Sequence, residues 1–199
     1  MKFYRPLPCD NTVKNPQVCD FSNFEERGFS KTDLLKGQII QVWDSEIFFQ
    51  SKKKKNDGMS DDVLQNYLML DIYSSKLSTL LIENNITGIQ LLPIDVLTTS
   101  NASRAGFRIV NTLNLIEAFD FERSIFNRFD HNFPNPNVRG KIAGVTEFVL
   151  HSHRLTGFDI FRLKEYKQAI FVSEKFKDIF EKNICTGYSF TEVKLTYSN

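Results

Sequence analysis

A chain of 199 residues with a formal net charge of +1, 41% hydrophobic and 25% charged, reads as a globular protein long enough to bury about 70% of its unfolded surface. Near-neutral charge gives no electrostatic footprint for nucleic acid or an anionic membrane, and no run approaches the roughly 20 apolar residues of a membrane span. Nineteen phenylalanines against one tryptophan point to an aromatic core, or to aromatic side chains kept for contact with a partner.

Residues 1–37 read as irregular, because Pro6, Pro8, Pro16 and the polar runs between them oppose regular structure. The opening MKFYRPLPCD has no apolar signal-peptide core. The three cysteines, Cys9, Cys19 and Cys185, are an odd count at wide spacing. Free thiols in a reducing cytoplasm are therefore expected over a Cys9–Cys19 disulfide. Phe21, Phe24 and Phe29 tuck the segment onto the body, and Ser30 to Lys36 forms one helical turn stopped by Gly37. In Gln38 to Gln50 the alternation of Ile40, Val42 and then Ile47, Phe49 about Asp44-Ser45 predicts a strand pair. Ser51 to Asp61 reads as a loop: four consecutive lysines stay solvated, and Asn56-Asp57-Gly58 is turn chemistry.

Asp71 to Leu97 reads as strand, helix, strand. Ile72-Tyr73 suits a buried strand end. Ser74 offers a hydroxyl to an unpaired amide of the first helical turn, and Leu77, Leu80 and Leu81 fall on one helix face. Gly88 is placed to end the helix in a left-handed conformation, and Ile89, Leu91, then Ile94, Val96 alternate as strand. Leu97 to Ala105 is a polar loop, and Phe107 to Leu115 a strand. Asp120 to Asn137, broken by Pro134 and Pro136, reads as a long excursion containing Phe126, Phe129 and Phe133. Lys141 to His151 and Gly157 to Leu163 are further strands.

Ile170 to Thr196 closes the chain with a second strand, helix and strand pattern. At an offset of 99 positions Ser74, Lys76, Asn84, Thr87 and Gly88 coincide with Ser173, Lys175, Asn183, Thr186 and Gly187. The apolar positions coincide too, Leu77, Leu80 and Leu81 with Phe176, Ile179 and Phe180. Average usage would give roughly one or two identities in such a window, so the two stretches, 71–97 and 170–196, read as a structural repeat with Ser173 and Gly187 in the capping roles of Ser74 and Gly88. The fold class expected is α+β: a mainly antiparallel sheet with a few helices on one face.

Catalytic patterns are absent: there is no G-x-S-x-G, P-loop, G-x-G-x-x-G, H-E-x-x-H or C-x-x-C. His151-Ser152-His153 puts two imidazoles on one strand face near Asp159, but a third ligand is unassigned, so they read as surface histidines rather than a metal site. Neither a catalytic residue nor a cofactor is expected.

Ser74-x-Lys76, Thr87-Gly88-Ile89-Gln90-Leu91-Leu92-Pro93, Asn111-x-Leu113-x-x-Ile116-x-Ala118-x-Asp120, Phe158-Asp159-Ile160-Phe161-Arg162-Leu163, and Ile170 to Phe176 with Thr186-Gly187 recur in order. Together they resemble an immunity-protein family of bacterial polymorphic toxin systems, first described in a myxobacterium, over about Asp62 to Val193. The resemblance implies one domain over 1–199, with 1–61 as an N-terminal extension and hairpin and 62–199 as the family-like region. It implies a cytoplasmic protein that binds and neutralises a cognate toxin, with no nucleic-acid or membrane partner. The shared residues look like scaffold, so none carries over as a functional site. Specificity is expected on loops: first Phe126, Arg128, Phe129, Asp130 and Phe133, then Asp57, Asp61 and Asp62 beside the lysines. A non-catalytic scaffold module with another partner, or an unrecognised hydrolase, are the alternatives.

Overall fold

The structure, a computed structural model, describes residues 1–9, 18–50, 61–97 and 103–197. In chain order the strands are β1 (Phe3–Pro8), β2 (Val18–Cys19), β3 (Phe21–Ser22), β4 (Phe48–Gln50), β5 (Gln65–Asn66), β6 (Ile72–Tyr73), β7 (Ile89–Leu97), β8 (Ser103–Thr112), β9 (Leu115–Ile116), β10 (Ile125–Arg128), β11 (Ile142–Glu147), β12 (Val149–His151), β13 (Ile160–Leu163), β14 (Ile170–Ser173), β15 (Tyr188–Glu192) and β16 (Lys194–Thr196). The helices are α1 (Lys31–Leu34), α2 (Ser75–Glu83) and α3 (Glu174–Lys182). The fold is mixed α and β, mainly sheet, with antiparallel pairing predominant. Two five-stranded sheets run β15-β1-β14-β13-β9 and β3-β4-β7-β8-β6, and shorter pairs join β10 to β11, β12 to β16 and β2 to β5.

Neighbouring residues on a strand face opposite sides of a sheet, and both sheets bury both sides. Ile72 and Ile109 enter one apolar cluster with Phe24, Phe49 and Phe107, while their neighbours Tyr73 and Val110 enter a second. In the other sheet Val172 and Ile160 enter that second cluster, and Phe171 and Phe161 a third with Phe3, Phe148 and Leu150. The second cluster is thus shared by both sheets. It also takes Leu77 and Leu81 of α2 and Phe176, Ile179 and Phe180 of α3. The helices lie at the junction of two sheets, not on one face of a single sheet as expected, because their apolar stripes meet inner faces from both halves of the chain.

The two longer helices begin and end alike. Ser74 accepts from the Leu77 amide at 3.2 Å and Ser173 from the Phe176 amide at 3.3 Å. At the far ends Ile86 N donates to Leu81 O and Cys185 N to Phe180 O, while Asn85 N donates to Ile82 O and Ile184 N to Glu181 O. Those paired bonds define a Schellman stop, with the left-handed residue at Asn85 (φ 53) and Ile184 (φ 52). The expectation that Gly88 and Gly187 end the helices is therefore corrected. Both have positive φ, at 80 and 104, but they lie beyond the stops, at the start of β7 and β15. Close approach is what they permit: a Cβ on Gly187 would sit 2.8 Å from the Val63 carbonyl oxygen, and one on Gly88 would strike the Asn114 side chain.

Four other expectations change. Residues 3–8 form a strand within a sheet despite Pro6 and Pro8. Phe3 O accepts from Val193 N and Cys9 N donates to Gly187 O, so odd-numbered residues face β15 and even-numbered ones the other side. There β14 pairs only with Phe3 and Tyr4. Pro6 and Pro8 thus occupy positions where no donor is required. In Gln38 to Gln50 only Phe48–Gln50 is strand. Residues 38–43 cross β7 and β8 as a strap, held by Gln90 to both the N and O of Ile40, by Asn111 to Gln38 O, and by Trp43 Nε1 to Pro93 O. Val42 is 81% exposed, so its alternation with Ile40 reflects no buried face. The strand expected from Phe107 starts at Ser103 and stops at Thr112. Leu115–Ile116 then joins the other sheet beside β13. Residues 141–151 divide at Phe148, which is buried in the third cluster, into strands with different partners.

Candidate functional site

Residues 120–147 build a hairpin, not an open excursion. Asp120 starts it: Oδ1 accepts from the amides of Glu122 (3.0 Å) and Arg123 (3.1 Å), and Oδ2 from Arg123 Nη1 at 3.0 Å. Burial would raise this carboxyl, but the Arg123 side chain and the two amides outweigh it and hold Asp120 below the ordinary carboxylate range. Ser124 then ties the turn to β12, donating to Val149 O and accepting from Val149 N. β10 pairs antiparallel with β11 through two irregular steps. The tip is held by Phe129 N to Lys141 O, Gly140 N to Phe129 O, Asn132 N to Asp130 Oδ1 and Arg139 Nε to Phe133 O. Asn135 caps a 3-10 turn at Pro136–Val138.

Aromatic side chains cover this hairpin. Phe119, Phe121 and Phe126 meet edge-to-face at 5.0–5.8 Å, and Phe129 and Phe133 contact at 4.8 Å. Phe119 is buried, Phe126 and Phe129 are half-buried, and Phe121 (46%), Ile125 (58%) and Phe133 (38%) remain exposed. Arg128 lies over the rings of Phe121 and Phe126 at 5.4 and 5.1 Å, and donates to Gly140 O at 2.7 Å. Asp130 is exposed beside it. The structure therefore gathers Phe126, Arg128, Phe129, Asp130 and Phe133 on one ordered element.

Asp61 and Asp62 of the second expected surface lie away from the hairpin. Asp57, like the four lysines, falls outside the described residues. Asp61 and Asp62 are buried, which corrects their assignment to a contact surface. Asp62 accepts from Ser74 Oγ (2.6 Å), Lys76 Nζ (3.3 Å) and Thr186 N (3.1 Å). Asp159 holds the same position before α3, accepting from Ser173 Oγ (2.7 Å) and Lys175 Nζ (3.2 Å). Each lysine also crosses to the other helix's left-handed stop, Lys76 to Ile184 O and Lys175 to Asn85 O. There a cation meets the negative end of the helix. Asp159 is thus spent on a helix start rather than on the histidines.

Two concavities border these elements. A cleft of about 460 Å³ beside the hairpin is lined by Glu117, Phe119, Phe121, His151, Arg154, Lys164 and Glu165. His151 Nδ1 lies 3.1 Å from Thr196 Oγ1 and 3.9 Å from Asp120, and Lys164 pairs with Glu117 at 2.9 Å. Oε2 of Glu165 is buried without a partner, and burial pushes that carboxyl upward. A slot of about 340 Å³ opens between Arg5–Pro8 and Val63–Asp71. One wall holds a buried network that sequence reasoning missed: Arg162 pairs with Asp71, and Tyr188 donates to Asp71 at 3.0 Å with its hydroxyl 3.4 Å from that of Tyr73. Its one sequence signal is a charge inside the apolar run Ile160 to Leu163. Burial, then the Asp71 charge, raises both phenols, so they stay neutral at physiological pH.

The cysteines are free thiols. Burial pushes Cys19 up to about 12 and Cys185 up to about 11, far from the thiolate a nucleophile needs. Among the described residues no group of three or more His, Cys, Asp or Glu side chains is placed to hold a metal, and no helix is long and apolar enough to cross a membrane.

No characterised protein in the curated comparison matches the chain. A family model does, over residues 4–195, so the match takes in β1 and the strap as well as the region from Asp62 onward. The chain belongs to the immunity protein family Imm11.

Proposed function

We propose that this protein neutralises a cognate bacterial toxin in the cytoplasm by binding it and occluding its active site, and that the hairpin of residues 120–147 is the contact surface. The observation that carries the proposal is the exposed aromatic and cationic hairpin, rigidly tied to β12 by Asp120 and Ser124. An apolar centre of Phe121, Phe129 and Phe133 with Arg128 and Asp130 around it has the composition of a protein interface. Binding, not turnover, is the mechanism. The chain acts as one domain, and its units β6-α2-β7 and β14-α3-β15 are copies of one ancestral unit, each started by a serine, an aspartate and a lysine.

Co-expression with the toxin domain encoded beside this gene tests the proposal. Cells should survive, and the two proteins should co-purify. Phe129→Ala and Phe133→Ala should weaken the complex by about 2 kcal/mol or more beyond any change in melting temperature. Death of the co-expressing cells would sink the neutralising role. Variants that lose stability but no affinity would move the contact surface elsewhere.

A further inference from the structure

We infer that the hairpin docks onto an acidic patch of the toxin, with Arg128 as a pre-set cationic anchor; this rests on the binding role above and adds the chemistry of the partner's surface. Residues 120–147 carry Arg123, Arg128, Arg139 and Lys141 against Asp120, Glu122, Asp130 and Glu147, so the hairpin is neutral in sum and what sets it apart is how its cations are paired. Among the described residues the other exposed cations have carboxylates beside them, as in Lys2–Glu192, Arg27–Asp44, Lys36–Asp33, Lys182–Asp178 and Lys194–Glu147. On the hairpin Arg123 is matched by Asp120. Arg128 and Arg139 instead spend a donor on the carbonyls of Gly140 and Phe133. Among the described residues neither they nor Lys141 has a carboxylate within ion-pairing distance. Among the described residues these three exposed cations are left for an external anion.

Arg128 is the best placed of the three. Its guanidinium is stacked over Phe121 and Phe126 and fixed by Gly140 O. The rotamer freedom that binding would cost is already lost, and the remaining N–H groups can meet a carboxylate as a fork. Exposed Ile125, Phe121 and Phe133 flank it with apolar surface. Three unmatched cations interspersed with Glu122 and Asp130 suit an acidic protein patch. A phosphate backbone calls for more cations and no carboxylates among them.

The probe is the toxin domain encoded beside this gene. Its association rate and affinity are measured at 50 and 300 mM salt for the wild type, Arg128→Lys, Arg128→Glu and Arg139→Glu, with Lys182→Glu on α3 as control. The association rate of the wild type should fall about tenfold or more between the two salts. Arg128→Lys should weaken binding about tenfold, since an ammonium neither stacks nor forks, and Arg128→Glu about a hundredfold or more. Arg139→Glu should slow association, and the control should change nothing. Melting curves of all variants should stay within about 2 °C of the wild type. Tight, salt-insensitive binding with Arg128→Glu and Arg139→Glu at wild-type affinity would overturn the acidic-patch inference and leave neutralisation standing. No binding by the wild type would overturn both. A loss for Lys182→Glu equal to that for Arg128→Glu would reduce the effect to net charge and overturn the anchor.

Discussion

Ile184 holds a β-branched side chain at φ 52 with 80% of its surface in solvent. A left-handed backbone costs such a residue about 1–2 kcal/mol, and little buried contact offsets it. Glycine would remove that strain at some cost in unfolded-chain entropy, so Ile184→Gly should stabilise by about 0.5–1 kcal/mol, read as a higher melting temperature. Gly187→Ala, three residues on, should do the reverse, because the new Cβ would meet the Val63 backbone. An unchanged or lower melting temperature for Ile184→Gly would contradict this account. At Glu165 burial raises the carboxyl above its ordinary 4.5, against the lowering effect of hydrogen bonds from its own amide and that of Phe119. An acid raised on folding helps most below its unfolded value, and its contribution is lost as pH rises through the folded value. At pH 7 it is therefore a cost. Glu165→Gln should raise the melting temperature at pH 7 and leave it unchanged near pH 4. An equal gain at both pH values would show that charge is not the cause.

Each of α2 and α3 is held at its start by an aspartate from a preceding segment. Asp62 joins Ser74, Lys76 and Thr186, whereas Asp159 joins Ser173 and Lys175. Removing either should leave part-buried donors without their acceptor, at about 1–3 kcal/mol. Asp62→Ala should cost more than Asp159→Ala, because it also releases the Thr186 amide. Urea unfolding of the two variants gives the comparison, and equal midpoints would dismiss the extra bond. The helices themselves were legible from a serine followed by apolar residues at i, i+3 and i+4. Their aspartates were not, since they lie 12 and 14 residues before the serines and only the folded chain brings them together. β1 was hidden by Pro6 and Pro8, whose missing donors matter only on a paired side. The 120–147 hairpin was hidden because Ile125 faces solvent and leaves no alternating pattern. Its phenylalanines could be named in advance. The stacking of Arg128 on two of them, and the burial of Asp61 and Asp62, required coordinates.

The cluster containing Tyr73, Leu81, Phe176 and Phe180 receives side chains from both five-stranded sheets and from both longer helices. Neither sheet can lose its inner face without exposing the other's, so equilibrium unfolding should be one cooperative transition. Trp43, the chain's one tryptophan, packs at the edge of the cluster on the far side of one sheet, and its fluorescence reports there. Far-UV dichroism reports on both sheets and the helices. The two signals should trace the same midpoint in urea, and separated midpoints would reveal halves that fold independently.

β1 lies between strands from the other end of the chain, pairing with β14 through Ser173 and Val172 and with β15 through Glu192 to Tyr188. At about 5–20 residues per second of synthesis, the first strand waits on the order of ten to forty seconds for its neighbours to leave the ribosome. Throughout that wait Phe3 and Tyr4, both buried in the finished protein, remain open to chaperones or to misplaced partners. The sheet therefore cannot close around β1 until β15 has been made, so its closure is a late step of synthesis.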